Sequence, residues 1–221
     1  YFCIDEVCFT AMQDLVYQPF YADFGPLSLG KTWKYITELE KLLAQENLKK
    51  THLYHYTSTD SAKCANAAYL MGAFQVHSEY VGRGAQAIAE DAFKPFKHLK
   101  FTDFRDASYG ECSYKCTVST SVYVDLDCLR GLEYAIKLGW FDYRTFNINE
   151  YEHYEKVENG DLNWIVPKKF IAFSSPSQNA QDNEGVIKFF IQNRTFTPAD
   201  YVPIFKKFGV TDVVRLNTKT Y

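Results

Sequence analysis

A cysteine that attacks phosphorus is held at the end of a strand, in a His-Cys-x5-Arg pattern that turns into a helix. Backbone N–H groups and the helix dipole hold the phosphate oxygens there, the low-pKa thiolate attacks, and the arginine grips the oxygens bidentately. The chain has six cysteines, Cys3, Cys8, Cys64, Cys112, Cys116 and Cys128, and none is followed six positions later by arginine. A degraded copy of the pattern runs through Tyr54-His55-Tyr56-Thr57-Ser58-Thr59-Asp60-Ser61-Ala62. Tyr56 stands after a histidine in the nucleophile's place, and Ala62 stands in the arginine's. A phenol is almost wholly protonated at neutral pH, and alanine offers a phosphate nothing. This stretch reads as a degenerate phosphate loop, and no catalytic residue is expected in the chain.

A second set of chemically able residues is acidic. From Asp142 to Asp161 there are six acids (Asp142, Glu150, Glu152, Glu155, Glu158, Asp161) and two bases (Arg144, Lys156), in a chain whose formal net charge is only −3. Glu152 and Glu155 are three apart and share a face of any helix there, at a cost of about 0.2–0.5 kcal/mol for like charges. Two readings are open. The run is an ordinary solvated helix face, or it is a groove whose carboxylates bind a basic ligand.

The wording of this segment carries more than its charge. Tyr151-Glu-His-Tyr-Glu-Lys156, then Glu158-Asn-Gly-Asp-Leu-Asn-Trp164 and Ile165-Val166-Pro167, resembles the interdomain linker of the cell-division-cycle-fourteen family of dual-specificity (tyrosine/serine) protein phosphatases. Phe20-Tyr-Ala-Asp-Phe-Gly-Pro-Leu27, Ala65-Asn-Ala-Ala68, Phe104-Arg-Asp-Ala107, Lys169-Phe-Ile-Ala-Phe-Ser174, Tyr201-Val-Pro-Ile-Phe-Lys-Lys207 and Val213-Val-Arg-Leu-Asn217 also resemble family segments, in family order. The resemblance implies an α/β, cysteine-phosphatase-like fold in tandem arrangement with the second domain truncated. Residues 1–142 would form a non-catalytic dual-specificity-phosphatase-like domain, 143–160 an acidic linker helix, and 161–221 the incomplete start of a catalytic domain.

The resemblance also implies function. Family members hydrolyse phosphoserine followed by proline, with a basic residue nearby, on substrates of cyclin-dependent kinases at mitotic exit. The parent of this chain would do the same without a cofactor. Glu152, Glu155 and Asp161 match family positions that line an acidic groove for the substrate's Lys or Arg. The family's live His-Cys-x5-Arg signature and its general-acid aspartate lie beyond a segment like Val213–Asn217, so the 221-residue chain is expected to be inactive alone. An intracellular location, in the nucleus, nucleolus, spindle, centrosome or cilium base, is implied in the same way. A different reading keeps the acidic surface and drops the enzyme, leaving a catalytically dead module that binds basic partners.

These groups need elements to hold them. Leu29, Trp33, Ile36, Leu39 and Leu43 recur near the helical period and predict an amphipathic helix over 29–47. A short strand is expected over 51–56. Asp60 or Ser61 would cap an almost wholly apolar central helix running through Phe74. Further helices are expected over about 83–92 and 119–138, the latter ending at Gly139, and a linker helix over 143–158 closed by Asn159-Gly160. Asn163–Val166 and Phe170–Phe173 read as strands around Pro167-Lys-Lys, and 174–182 as a loop. Thr197-Pro198 starts a helix, and Val210–Leu216 reads as a buried strand.

The remaining composition excludes several classes. Mild acidity argues against general nucleic-acid binding, which needs basic charge to displace counterions. No run of 18 uncharged apolar residues is present to span a membrane. The cysteines lack C-x-x-C spacing and a matching histidine pair, so no metal site is expected and the thiols read as reduced. His52 and His55, three apart on a strand, would point to opposite faces.

Overall fold

The structure is a computed structural model and describes residues 6–9, 16–19, 22–45, 52–77, 84–88, 91, 93–96, 98–99, 101–105, 127–176 and 196–216. These divide into two compact units, Tyr1–Tyr143 and Arg144–Tyr221. Both mix helix and strand, as the α/β reading expects.

In the first unit, β1 (Glu6–Phe9) pairs in parallel with β2 (His52–His55), Glu6 opposite His52 and Phe9 opposite His55. Parallel neighbours need a crossover connection, and α1 (Leu29–Leu43) lies within it. Ser28 caps α1, accepting from the Lys31 amide at 3.5 Å, and its inward stripe buries Tyr35, Ile36 and Leu39. The helix stops at Ala44, short of the expected residue 47.

The central helix is α2 (Ser61–His77), which buries Ala65, Ala67, Tyr69, Leu70, Ala73 and Phe74, so it is apolar most of the way round as its composition predicts. It packs against α1 and against α4 (Asp127–Lys137). A Cβ built on Gly72 would lie 2.3 Å from Leu129 Cδ1, so only glycine lets α2 and α4 approach this closely. Between them come a short helical turn, α3 (Ala85–Ala87), and a 3₁₀ turn at Lys94–Phe96. Residues 83, 89, 90 and 92 of the expected 83–92 helix, and 119–126 of the expected 119–138 helix, lie outside the described residues. Gly139 does end α4, with φ +68°.

Three segments singled out in the sequence meet in this unit. Phe24 and Arg105 exchange backbone hydrogen bonds of 3.0 and 2.7 Å, and the Phe24 and Phe104 rings are 5.4 Å apart. Buried Asn66 donates to Gly25 O (3.2 Å) and accepts from the Leu27 amide (3.0 Å). A buried side-chain amide without such partners would cost about 1–3 kcal/mol, so Asn66 ties α2 to the 23–27 segment.

The second unit opens with α5 (Ile148–Glu155) and a 3₁₀ turn, Val157–Asn159. Strands β3 (Leu162–Val166) and β4 (Phe170–Phe173) form an antiparallel hairpin around Pro167-Lys-Lys, with Lys168 at φ +61°. α6 (Pro198–Phe208) begins in a capping box: the Thr197 hydroxyl accepts from the Asp200 amide, and Asp200 accepts from the Thr197 amide at 2.9 Å. Pro203 sits inside α6, which continues past it to Gly209 at φ +67°. Tyr154, Leu162 and Tyr201 form the core, with Ile171, Phe173, Phe196, Ile204, Phe205 and Phe208 packed around them.

Two expectations are corrected. Val210–Leu216 is neither strand nor buried: Val213, Val214 and Leu216 are 60%, 75% and 94% exposed. A strand exists only where a neighbour completes its ladder, and among the described residues the sheet of β3 and β4 takes up no third strand. The linker helix is shorter than 143–158. Asn147 caps it by accepting from the Glu150 amide at 3.1 Å, and Phe146 packs on Tyr151 at 5.2 Å as a hydrophobic staple. At its other end Lys156 is extended (ψ 138°) and stops the helix.

Candidate recognition site on the acidic helix

α5 is fixed on one side by Tyr154. That ring is buried, sits edge-on to Phe208 at 5.0 Å, and its hydroxyl accepts from Lys207 Nζ at 2.9 Å while the same ammonium lies 5.3 Å from the ring centroid. The hydrogen bond to Tyr154 holds the Lys207 pKa above the usual lysine value. With Tyr154 turned into the core, the helix presents Glu152 and Glu155, both half-buried, on one depression of about 440 Å³. Asn149, His153 and Lys156 line it too. Lys156 therefore offsets part of the carboxylate charge. His153 and Asn149 carry no acidic signal, and only the helical repeat could have placed them beside the two glutamates.

Asp161 does not line that depression. It follows the 3₁₀ turn and occupies the left-handed region, φ +46°, directly after Gly160 at φ +117°. Asp and Asn tolerate this region better than other side chains. The Asp161 amide donates to Lys156 O (3.0 Å), and its carbonyl accepts from the Ser174 amide (3.1 Å). Desolvation raises the Asp161 pKa, and a hydrogen bond from the Ser174 side chain partly counters that rise.

The loop before α2 is arranged against phosphate chemistry. Tyr56 is half exposed, at 52%. His55 is tied to the Tyr35 hydroxyl at 3.1 Å, and burial lowers its pKa. Asp60 caps α2, its carboxylate accepting from the Lys63 amide at 2.8 Å, so a negative group already sits where helix amides would otherwise meet an anion. Cys64, one turn into α2, donates to Ser58 O, and burial and Asp60 both raise its pKa, the opposite of an activated thiol. Ala62 borders a largely apolar hollow of about 280 Å³ with Val16, Tyr17, Pro19 and Phe24. Cys3, Cys112 and Cys116, and the side chain of Cys8, lie outside the described residues.

Among the described residues no group of three or more His, Cys, Asp or Glu side chains is gathered for a metal ion, and no helix is long and apolar enough to cross a membrane. His52 is exposed and His55 half-buried, on alternate faces of β2.

Comparison with known proteins adds to this geometry. The family described as "Dual specificity protein phosphatase, N-terminal half" matches residues 1–135. The human "Dual specificity protein phosphatase CDC14A" is 42% identical over 224 residues, covering 100% of this chain and 33% of that protein. Its mouse counterpart is 43% identical with the same coverage. The Caenorhabditis elegans "Tyrosine-protein phosphatase cdc-14" is 32% identical over 99% of the chain and 29% of its own length. The chain thus spans about a third of the length of these curated relatives.

Proposed function

The chain belongs to the CDC14 dual specificity protein phosphatases, matching their N-terminal half, and from that premise we propose that it supplies substrate recognition to a phosphatase acting on phosphoserine-proline sites of cyclin-dependent-kinase substrates. In this reading the carboxylates of Glu152, Glu155 and Asp161 take up the Lys or Arg side chains that flank such sites. One observation carries it: α5 turns Tyr154 into the core and sets Glu152 and Glu155 side by side on a single depression. Hydrolysis itself requires a thiolate and an arginine, and the chain has no cysteine followed six positions later by arginine.

The test uses the full-length phosphatase that carries this sequence and phosphoserine-proline peptides in which one downstream Lys is replaced by norleucine. Each carboxylate within about 4 Å of an ammonium contributes roughly 1 kcal/mol in water and up to about 4 in a partly dry groove. A preference of tenfold or more in kcat/KM for the lysine peptide is expected. Equal kcat/KM for the two peptides overturns the reading.

A second reading, a non-catalytic module that binds basic partners, is favoured by the loop at Asp60, whose carboxylate occupies the helix amide that would otherwise meet an anion there. It requires that the 221-residue chain by itself bind lysine-rich peptides in a salt-sensitive way. Fluorescence anisotropy with such a peptide checks this, and no binding at low salt rejects it.

A further inference from the structure

Asp161 is held in an uncommon way. Two consecutive residues, Gly160 and Asp161, have positive φ, and such backbone persists only where surroundings over-determine it. A Cβ on Gly160 would meet Leu162 at 3.1 Å, Ile204 at 3.3 Å and Tyr201 at 3.5 Å. The Gly160 carbonyl accepts from the Tyr201 hydroxyl at 2.7 Å. Tyr201 is only 1% exposed. Its ring is clamped by Phe173, Phe196 and Phe205, with centroids 4.9, 5.0 and 5.3 Å away, and α6 is anchored by its own capping box. The same hydroxyl is 3.4 Å from both the carbonyl and the hydroxyl of Ser174, the residue whose amide binds Asp161 O. A phenylalanine would fill this core space equally well, so what the hydroxyl adds is its bond to the turn.

We infer that Tyr201 is a positioning residue for Asp161: its hydroxyl, fixed by α6, holds the Gly160–Asp161 turn and so sets where the Asp161 carboxylate is presented to a basic group of the substrate. The inference rests on the acidic-site reading above. The desolvation that raises the Asp161 pKa is in keeping with a carboxylate held in place by its surroundings.

The test compares Y201F, D161N and the double variant in the full-length phosphatase, reading the ratio of kcat/KM for the lysine and norleucine peptides. D161N is expected to lower the ratio. Y201F is expected to lower it about threefold, the scale of one net hydrogen bond, and to change it no further in the D161N background. Replacement of Tyr201 by 4-aminophenylalanine, which keeps a donor, is expected to restore the ratio. If Y201F does not fold, 4-aminophenylalanine and 4-methylphenylalanine, similar in size and differing in the donor, carry the same comparison. A ratio unmoved by loss of the donor, or lowered equally with and without Asp161, overturns the inference and leaves Tyr201 a core residue. If D161N is silent while E152K/E155K lowers the ratio, the inference alone fails. If both are silent, the reading beneath it fails as well.

Discussion

Reversing both helix glutamates, E152K/E155K, is the most informative perturbation of this chain. The two carboxylates and Lys156 share one depression, so the wild-type site carries one net negative charge and the variant three positive ones. Both glutamates are half-buried, which places the effective dielectric between water and a dry groove. Even near the aqueous limit of about 1 kcal/mol per close pair, losing the two attractions alone costs about 2 kcal/mol, or roughly thirtyfold in kcat/KM for a lysine-bearing phosphopeptide, and the two new repulsions add to that loss. The assay is the lysine-to-norleucine ratio of kcat/KM for the full-length enzyme at two salt concentrations. Screening shortens from about 10 Å at 0.1 M to about 3 Å at 1 M, so the wild-type ratio should narrow at high salt while the variant's, depressed by repulsion, should rise towards unity. An unchanged ratio at low salt, or equal losses on both peptides, would show that these carboxylates do not read the substrate's charge.

Three further outcomes follow from the same geometry. Gly72→Ala should destabilise the first unit by about 1–2 kcal/mol, since overpacking against Leu129 exceeds the helix-propensity gain of about 1 kcal/mol; denaturant titration should show partial rescue by L129A, and strict additivity would refute the clash. The pair Y56C/A62R should give no aryl-phosphate hydrolysis in this chain, because the Asp60 carboxylate caps the helix amides that would bind phosphate; turnover above the unmutated chain would show that the cap yields. Desolvation holds the folded pKa of Asp161 above the ordinary aspartate value, so the native state binds the proton more tightly and stability falls as pH rises through that window. D161N should therefore melt higher than wild type at pH 7, with the difference shrinking towards pH 4, and a difference that grows on acidification would reverse the assigned sign.

Local signals were legible wherever a residue's own chemistry set its structure. Thr197-Pro198 and Gly209 delimit α6, Gly139 ends α4, and Asp60 caps α2, because caps depend on φ and on donors within four residues. The boundary of α5 was written in Phe146-Asn147-x-x-Glu150-Tyr151, a cap flanked by a staple, and the stronger acidic pattern around it masked that signal. Val210–Leu216 was misread because an apolar β-branched run states a preference for burial and says nothing about who supplies the neighbouring strand.

The sequence by itself determined the family, the lack of any cysteine followed six positions later by arginine, and the shared face of Glu152 and Glu155, since residue type and short spacing suffice for each. The tertiary structure alone decided that Asn66 joins segments about 40 residues apart and that Tyr201 reaches back 41 residues to Gly160. Those are contacts between distant parts of the chain, and they depend on how helices and hairpin pack, a choice made by the whole core and carried by no local pattern.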